Sequence, residues 1–333
     1  MHNKLQIGII GCAKIAVKAV MPAIVESETS RLAAVASRDE AKAREVAQQF
    51  GIEKSYSSYE AMLEDPEIDA VYIPLPNHLH REWAIRAAEA GKHVLCEKPL
   101  ALTPEEAEEM VRAADKAGVK LAEAFMYRHH PRWDRIRAII AAGEIGELRA
   151  IRGAFTFNGA RMDRGNVRFR SDFGGGSIYD VGCYPISAAR LITGLEPEAV
   201  SVHAQFLSEF GDVDMMASGL VEFGNGLSLT FDCGMLASYR NFVEIVGADG
   251  RIELEHAFKP TDEGTHGFTV MTNGERREER FASCNQYALM VDDFARSIWG
   301  EQSLRFPPED ATRNMRVIEA CIRSAKERTR VTL

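Results

Sequence analysis

The sequence predicts an α/β protein in two parts, a doubly wound parallel sheet followed by a domain organised on an antiparallel sheet. Short apolar strands and helix-forming stretches alternate from Gln6 to Glu123, the pattern of a parallel sheet with helices on both faces. Beyond Gly194 the punctuation changes to hairpin turns, with Gly224-Asn225-Gly226, Asp249-Gly250 and Asn273-Gly274 each following a strand-like run. At 333 residues the chain is also too long for one ordinary core.

Taken in order, Gln6 to Ile10 is an apolar strand that runs into the small-residue turn Gly11-Cys12-Ala13 and then a helix. Gly11, Ala13 and Ala16 take the G-x-G-x-x-G/A places of a dinucleotide loop, whose small residues let the backbone approach a pyrophosphate at a helix N-terminus. Ala13 replaces the middle glycine, and an ordinary strand-to-helix turn is the competing reading. Leu32 to Ala36 forms the second strand. It ends in Ser37-Arg38, where an acid would mark an NAD site; a hydroxyl with a guanidinium suits a 2′-phosphate, so NADP(H) is expected ahead of NAD(H). Ser37 also fits a capping box with Glu40. Glu40 to Phe50 reads as a helix stopped by Gly51, Ala70 to Ile73 as a strand, Pro74 to His78 as a rigid loop, and Leu79 to Ala90 as a helix closed by Gly91.

Val94 to Cys96 is the next strand, and Glu97-Lys98 stand at its carboxyl end, the side on which open parallel sheets bind ligands. Pro99 fixes the backbone, and Thr103-Pro104-Glu105-Glu106 opens the following helix with an N-cap and proline, so Lys98 is held in place. A solvated loop lysine is the bland alternative. Val119 to Glu123 completes the alternation.

In the second part, Arg132 to Ala142 predicts a helix, and Leu148 to Phe157 a strand with apolar alternation at Ile151, Gly153, Phe155 and Phe157. Residues 158–176 are irregular and carry Arg161, Arg164, Arg168 and Arg170, a cationic supply fit for phosphate or a sugar-nucleotide, or simply a solvated loop. Gly174-Gly175-Gly176-Ser177 opens a helix bearing Asp180 and Tyr184, four residues apart and so on one face. Pro185 should kink or restart that helix, because it cannot donate to residue 181. Residues 285–299 and 308–328 are the closing helices, with Tyr287 facing either a cleft or a core.

Composition narrows the function classes. The chain is 46% hydrophobic and 27% charged, as soluble globular proteins are. No apolar run approaches the ~20 residues of a membrane helix and the first strand begins close to Met1, so a cytoplasmic protein without a signal peptide or membrane partner is expected. The six cysteines are scattered singly, without metal spacing or a disulfide framework. A formal net charge of −9 argues against a nucleic-acid partner.

The Gly11-Cys12-Ala13 turn, Pro74-Leu75-Pro76-Asn77-His78-Leu79-His80, Glu97-Lys98-Pro99, Ala124-Phe125-Met126-Tyr127-Arg128-His129-His130-Pro131 and the segment from Gly174 to Pro185 occur in an order that resembles the glucose-fructose oxidoreductase / inositol dehydrogenase (Gfo/Idh/MocA) family. The resemblance implies a dinucleotide-binding Rossmann domain over residues 1–123. It implies over 124–333 an α+β domain whose large, open, mainly antiparallel sheet binds substrate and makes a homo-oligomer, a dimer or tetramer. It further implies that Lys98 is catalytic and that Tyr184 is the acid/base partner, with Asp180 beside it. Tyrosine at that place resembles the branch containing dihydrodiol dehydrogenase, sugar dehydrogenases such as D-xylose dehydrogenase, and nucleotide-sugar 3-ketoreductases. Cofactor contacts implied in the same way are Gly8, Gly11, Cys12, Ala13, Lys14, Ile15, Ser37, Arg38, Leu75, Pro76, Asn77, His80, Glu97, Lys98 and Arg168. Tyr127, Arg128, Phe157, Arg170, Asp180, Tyr184 and Tyr287 are the corresponding substrate candidates.

The expected chemistry is hydride transfer between nicotinamide and a carbinol or carbonyl carbon of a sugar or related polyol. A phenol titrates near pH ~10 unperturbed, and a lysine ammonium beside it favours the phenolate, which is why Lys and Tyr together suit proton exchange at a reacting oxygen. Proton transfer by Lys98 itself is a second assignment. A nucleotide-linked keto-sugar reductase and a non-enzymatic NADP sensor on the same fold are the competing functions.

Overall fold

The computed structural model describes residues 3–259 and 267–333, which form two compact units. The first comprises residues 1–129 and 284–312, the second 130–283 and 313–333.

The first unit is built on six strands: β1 (Leu5–Ile10), β2 (Ser30–Ala36), β3 (Lys54–Tyr56), β4 (Ala70–Ile73), β5 (His93–Glu97) and β6 (Leu121–Ala124). They pair in parallel in the order β3-β2-β1-β4-β5-β6. β4 and β6 are buried along their whole length, because helices cover both faces of a parallel sheet. The connections are α1 (Met21–Glu26), α2 (Glu40–Phe50), α3 (Tyr59–Leu63), α4 (His80–Glu89) and α5 (Pro104–Ala117). Three of these helices start on a side-chain cap. Asp39 accepts the Lys42 N–H at 3.1 Å, Ser58 the Ala61 N–H at 3.1 Å and Thr103 the Glu106 N–H at 3.2 Å. The cap of α2 is therefore Asp39 rather than Ser37, whose hydroxyl instead accepts the Asp39 N–H at 3.2 Å.

The sheet order reverses direction between β1 and β4. Ligands of such sheets sit outside the strand carboxyl ends at that reversal, beside the turns that follow β1 and β4.

A later stretch of chain returns to this unit. In α8 (Gln286–Ile298) Asp292 accepts the hydroxyls of Ser27 and Thr29 at 2.6 Å each, just beyond α1. A boundary drawn at 123/124 places α8 with the C-terminal domain, whereas by packing it belongs with the parallel sheet.

The second unit carries α6 (Pro131–Ala141), α7 (Cys183–Thr193), most of α9 (Pro308–Glu327) and a nine-stranded sheet. Its strands are β7 (Leu148–Asn158), β8 (Ala199–Leu207), β9 (Val213–Glu222), β10 (Ser228–Gly234), β11 (Leu236–Gly247), β12 (Gly250–Glu255), β13 (Phe268–Thr272), β14 (Glu275–Glu279) and β15 (Val331–Thr332). Their order is β14-β13-β12-β11-β7-β10-β9-β8-β15. The three hairpins sit where their turns predict them, β9/β10, β11/β12 and β13/β14. β7 and β10 pair in parallel, which makes the sheet mixed although mostly antiparallel. Among the described residues no helix is long and apolar enough to cross a membrane, and no cluster of His, Cys, Asp or Glu is arranged to hold a metal.

Candidate active site

In the first unit the cofactor candidates gather at strand carboxyl ends. Gly11 ends β1 at φ 100°, and a Cβ there would lie 2.9 Å from Leu75 Cδ2 and 3.6 Å from the Tyr59 hydroxyl. Glycine is thus required at 11 by both backbone and space, and the turns after β1 and β4 are neighbours. Cys12 is buried, and that burial pushes its thiol pKa up, while Lys14 and Ile15 are exposed at the opening of the helix. Ser37 is buried at the end of β2, and Arg38 beside it faces the Tyr59 phenol closely enough for its charge to act there. Gly8 lies elsewhere: a side chain in its place would strike Met62 Sδ at 2.9 Å, so its smallness serves the packing of α3.

The turn after β5 is braced from three sides. Glu97 accepts the Tyr72 hydroxyl at 2.6 Å through one oxygen and the Lys98 N–H at 3.2 Å through the other. Lys98 is half-buried, and the peptide joining it to Pro99 is cis. The Pro99 carbonyl meets His80 Nδ1 at 3.0 Å, and the Leu100 N–H is held by Glu123 at 3.1 Å. His80 has no exposed surface, and its Nε2 meets the Leu75 carbonyl at 2.8 Å. The structure therefore places His80 as a clip between the loops that carry Leu75-Pro76-Asn77 and Lys98, rather than at a ligand surface. Tyr287, half-buried on α8, is close enough to Glu97 that the carboxylate adds to burial in raising its phenol pKa.

Tyr127 and Arg128 lie in the interior. Tyr127 is fully buried with its ring edge-on to Phe125, 5.1 Å between centroids. Arg128 pairs with Asp310 at 2.6 Å and stacks over Phe125 and Phe306. Their side chains hold the turn between β6 and α6.

In the second unit the start of α7 collects the other candidates. Residues 178–182 form a wide turn with an i→i+5 bond from Cys183 N–H to the Ile178 carbonyl, and α7 proper begins at Cys183. Pro185 is the reason, since it leaves the Val181 carbonyl without its helical donor. Arg168 Nε donates to Asp180 Oδ2 at 2.7 Å. The charges of Asp180 first, and Tyr184 second, act on that guanidinium and outweigh burial, raising its pKa; the structure thus brings Arg168, Asp180 and Tyr184 together. Tyr184 is 6% exposed, its ring against Phe155 and Phe258 at 5.1 and 5.3 Å.

Two more arginines of this loop, Arg164 and Arg170, have local partners. Arg170 holds Asp172 through two bonds, 3.0 and 2.7 Å, and Arg164 lies over the Phe210 ring at 3.8 Å. Phe157 packs on the cluster formed by Phe169, Phe210, Val213, Met215 and Met235.

Sequence reading missed Asp214. This acid on β9 is 4% exposed and accepts the Ser177 hydroxyl and the Ile178 N–H, both at 2.7 Å; burial pushes its pKa up to about 6. The available signal was an acid inside the apolar run Val213-Asp214-Met215, where a buried charge needs partners. Tyr59, beside the Gly11 turn, had no signal beyond an aromatic opening a short helix.

Comparison with known proteins gives the family and the fold. Residues 5–125 match an oxidoreductase family with an NAD-binding Rossmann fold, and residues 133–253 match the GFO/IDH/MocA C-terminal domain. An uncharacterised oxidoreductase of Rhizobium meliloti is 43% identical over 328 residues, 97% of each chain. The D-xylose 1-dehydrogenase (NADP(+)) 2 of Haloferax volcanii is 38% identical over 331 residues, 99% of this chain and 100% of that one. The crystal structure of a 3-ketoreductase from Actinomadura kijaniata in complex with NADP and TDP-benzene superimposes with a TM-score of 0.91 at 32% identity, covering 97% of this chain and 98% of the other. With both domains matched and relatives aligned end to end, the chain belongs to the Gfo/Idh/MocA family of oxidoreductases.

Proposed function

We propose that this protein is an NADP(H)-preferring oxidoreductase that interconverts a carbinol and a carbonyl on a free sugar, with residues 1–123 as the nucleotide-binding part and 124–333 as the part that binds substrate and self-associates. The observation that carries the reading is the gathering of Asp180 and Tyr184 beside Arg168 at the start of α7, an acid and a phenol for which a mere nucleotide sensor has no use.

The nucleotide fits the first unit. The Gly11 turn keeps its backbone open where a Cβ would close it against Leu75, and Ser37 with Arg38 ends β2 where a 2′-phosphate is read. Residues 11–15, 37–38, 75–77 and 97–98 would hold it. When bound, the nicotinamide supplies or accepts the hydride. Lys98 donates to the substrate oxygen and stabilises the charge that develops there. The Tyr184 phenol gives or takes the proton on that oxygen, and Asp180, steadied by Arg168, orients a substrate hydroxyl.

Arg164, Arg168 and Arg170 are engaged with Phe210, Asp180 and Asp172, which favours an unphosphorylated sugar, as does the xylose dehydrogenase relative. The 3-ketoreductase crystallised with TDP-benzene favours a nucleotide-linked keto-sugar as the second reading. Fluorescence titration with NADPH and NADH, followed by turnover on aldoses, ketoses and nucleotide keto-sugars, separates them. NADPH binding and free-sugar turnover are expected, with Lys98→Ala and Tyr184→Phe each lowering kcat by roughly 10²–10⁴-fold while NADPH still binds. Turnover confined to nucleotide-linked sugars replaces the first reading by the second, and failure to bind either nucleotide sinks both.

A further inference from the structure

The glycine run ahead of Asp180 is explained by a carboxylate outside that motif. Gly176 sits at φ 114°, and a Cβ on it would lie 2.1 Å from Asp214 Oδ1, so the carboxylate occupies the space of a side chain at 176. The other oxygen, Oδ2, takes the Ser177 hydroxyl and the Ile178 N–H at 2.7 Å each, gripping the first residues of the turn that leads into α7. From Gly176 the connections run in both directions. Its N–H donates to the Arg168 carbonyl at 3.0 Å, and its carbonyl accepts the Asp180 N–H at 3.1 Å. A Cβ on neighbouring Gly175 would lie 2.5 Å from that same Arg168 carbonyl, so backbone meets backbone there without room to slide. Arg168 and Asp180, joined through this backbone, are also joined by their side-chain ion pair.

We infer that Asp214 is a positioning residue for the reaction: by holding Ser177 and Ile178 from β9 it sets where Asp180, its partner Arg168 and, further along, Tyr184 are presented. Asp214 acts through the helix start rather than on the substrate. The inference rests on the roles proposed above for Asp180 and Tyr184.

Three full-length variants test it. Asp214→Leu removes both acceptor oxygens at similar bulk, Asp214→Asn restores one oxygen for the two donors, and Ser177→Ala removes one bond while leaving that of Ile178. For each, the melting temperature, the NADPH affinity by fluorescence, and kcat and KM on the sugar turned over by the native protein are measured. Misplacement of reacting groups lowers kcat steeply, so Asp214→Leu is expected to lose ~10–100-fold in kcat, Ser177→Ala about 3–10-fold, and Asp214→Asn to recover most of the rate. NADPH affinity stays within about twofold throughout, since residues 11–15, 37–38, 75–77 and 97–98 lie on other elements and Arg168 is committed to Asp180. Native kcat in folded Asp214→Leu and Ser177→Ala overturns the inference. So does a parallel loss of NADPH affinity and kcat, the mark of general loosening. If Asp214→Leu does not fold, Ser177→Ala decides. Tyr184→Phe runs alongside: native turnover there removes the proposed role of Tyr184, whereas loss there with none in the other variants overturns only the part given to Asp214.

Discussion

His80 shows what a buried side chain near a site does for it. Both ring nitrogens face carbonyls, Leu75 at 2.8 Å and Pro99 at 3.0 Å, which favour the imidazolium; burial outweighs them and pushes the pKa down to about 4. A free histidine titrates near ~6.5, so as pH falls from there toward 4 the unfolded chain takes up a proton that the folded chain refuses. The associated stability is present above pH ~6.5 and is lost on acidification, by roughly 3 kcal/mol for a shift of this size. His129, pushed down to about 3 by burial, acts in the same direction, whereas Asp214, raised by burial to about 6, holds a proton when folded and opposes them. The two histidines outweigh the one acid. A neutral His80 donates to one of the two carbonyls, so His80→Gln is expected to cost about 1–3 kcal/mol at pH 7 through the carbonyl that loses its donor and the changed packing. Its urea midpoint should also fall less than that of the native protein between pH 6.5 and 4.5, and an unchanged slope would rule out a neutral, buried His80.

At the scale of elements, the start of α7 is where local sequence and function meet. Pro185 lies at the third position of α7, and Gly153 on β7 makes room for it, since a Cβ at 153 would lie 2.9 Å from the Pro185 ring carbon. Pro185→Ala restores an N–H for the Val181 carbonyl and lets ordinary helical bonding spread back through the wide turn, rotating Asp180 relative to Tyr184. A fall in kcat of about tenfold or more is expected with little change in melting temperature; unchanged kcat would mean that the wide turn has no part in the site. The glycines, proline and hairpin turns were legible from sequence because each imposes a backbone geometry by itself. Three things were not: the parallel pairing of β7 with β10, the return of α8 to the first unit, and the capture of Ser177 by Asp214 from β9. All three are long-range contacts, which no local propensity encodes. For the same reason Tyr127 and Arg128 read as substrate candidates, although Arg128 finds its carboxylate 182 residues away.

For the molecule as a whole, the large sheet and the net charge set what it meets. The edges of the sheet are blunt for pairing: β14 consists entirely of glutamates and arginines, and β15 has two residues. Leu220 on β9 is 36% exposed, and Phe242 on β11, on the same face of the sheet, is also partly uncovered. Self-association is accordingly proposed through the face, and Leu220→Glu should lower the mass seen by light scattering if the native protein is a dimer or tetramer. The charge bears on the nucleotide. A chain at −9 repels an anion overall, so discrimination between NADPH and NADH has to come from groups close to the extra phosphate, and Arg38, just beyond β2, is the cation proposed for it. A ligand that binds only the folded state stabilises it by RT ln(1 + [L]/Kd), about 2.7 kcal/mol at a hundredfold excess over Kd. At equal concentration NADPH should raise the melting temperature of the native protein by several degrees more than NADH. Arg38→Ala should cut the NADPH response to the level of NADH without lowering the latter, because only the phosphate contact is removed. If both nucleotides shift the variant and the native protein alike, the phosphate is not read at Ser37-Arg38 and the preference for NADP(H) has to be given up.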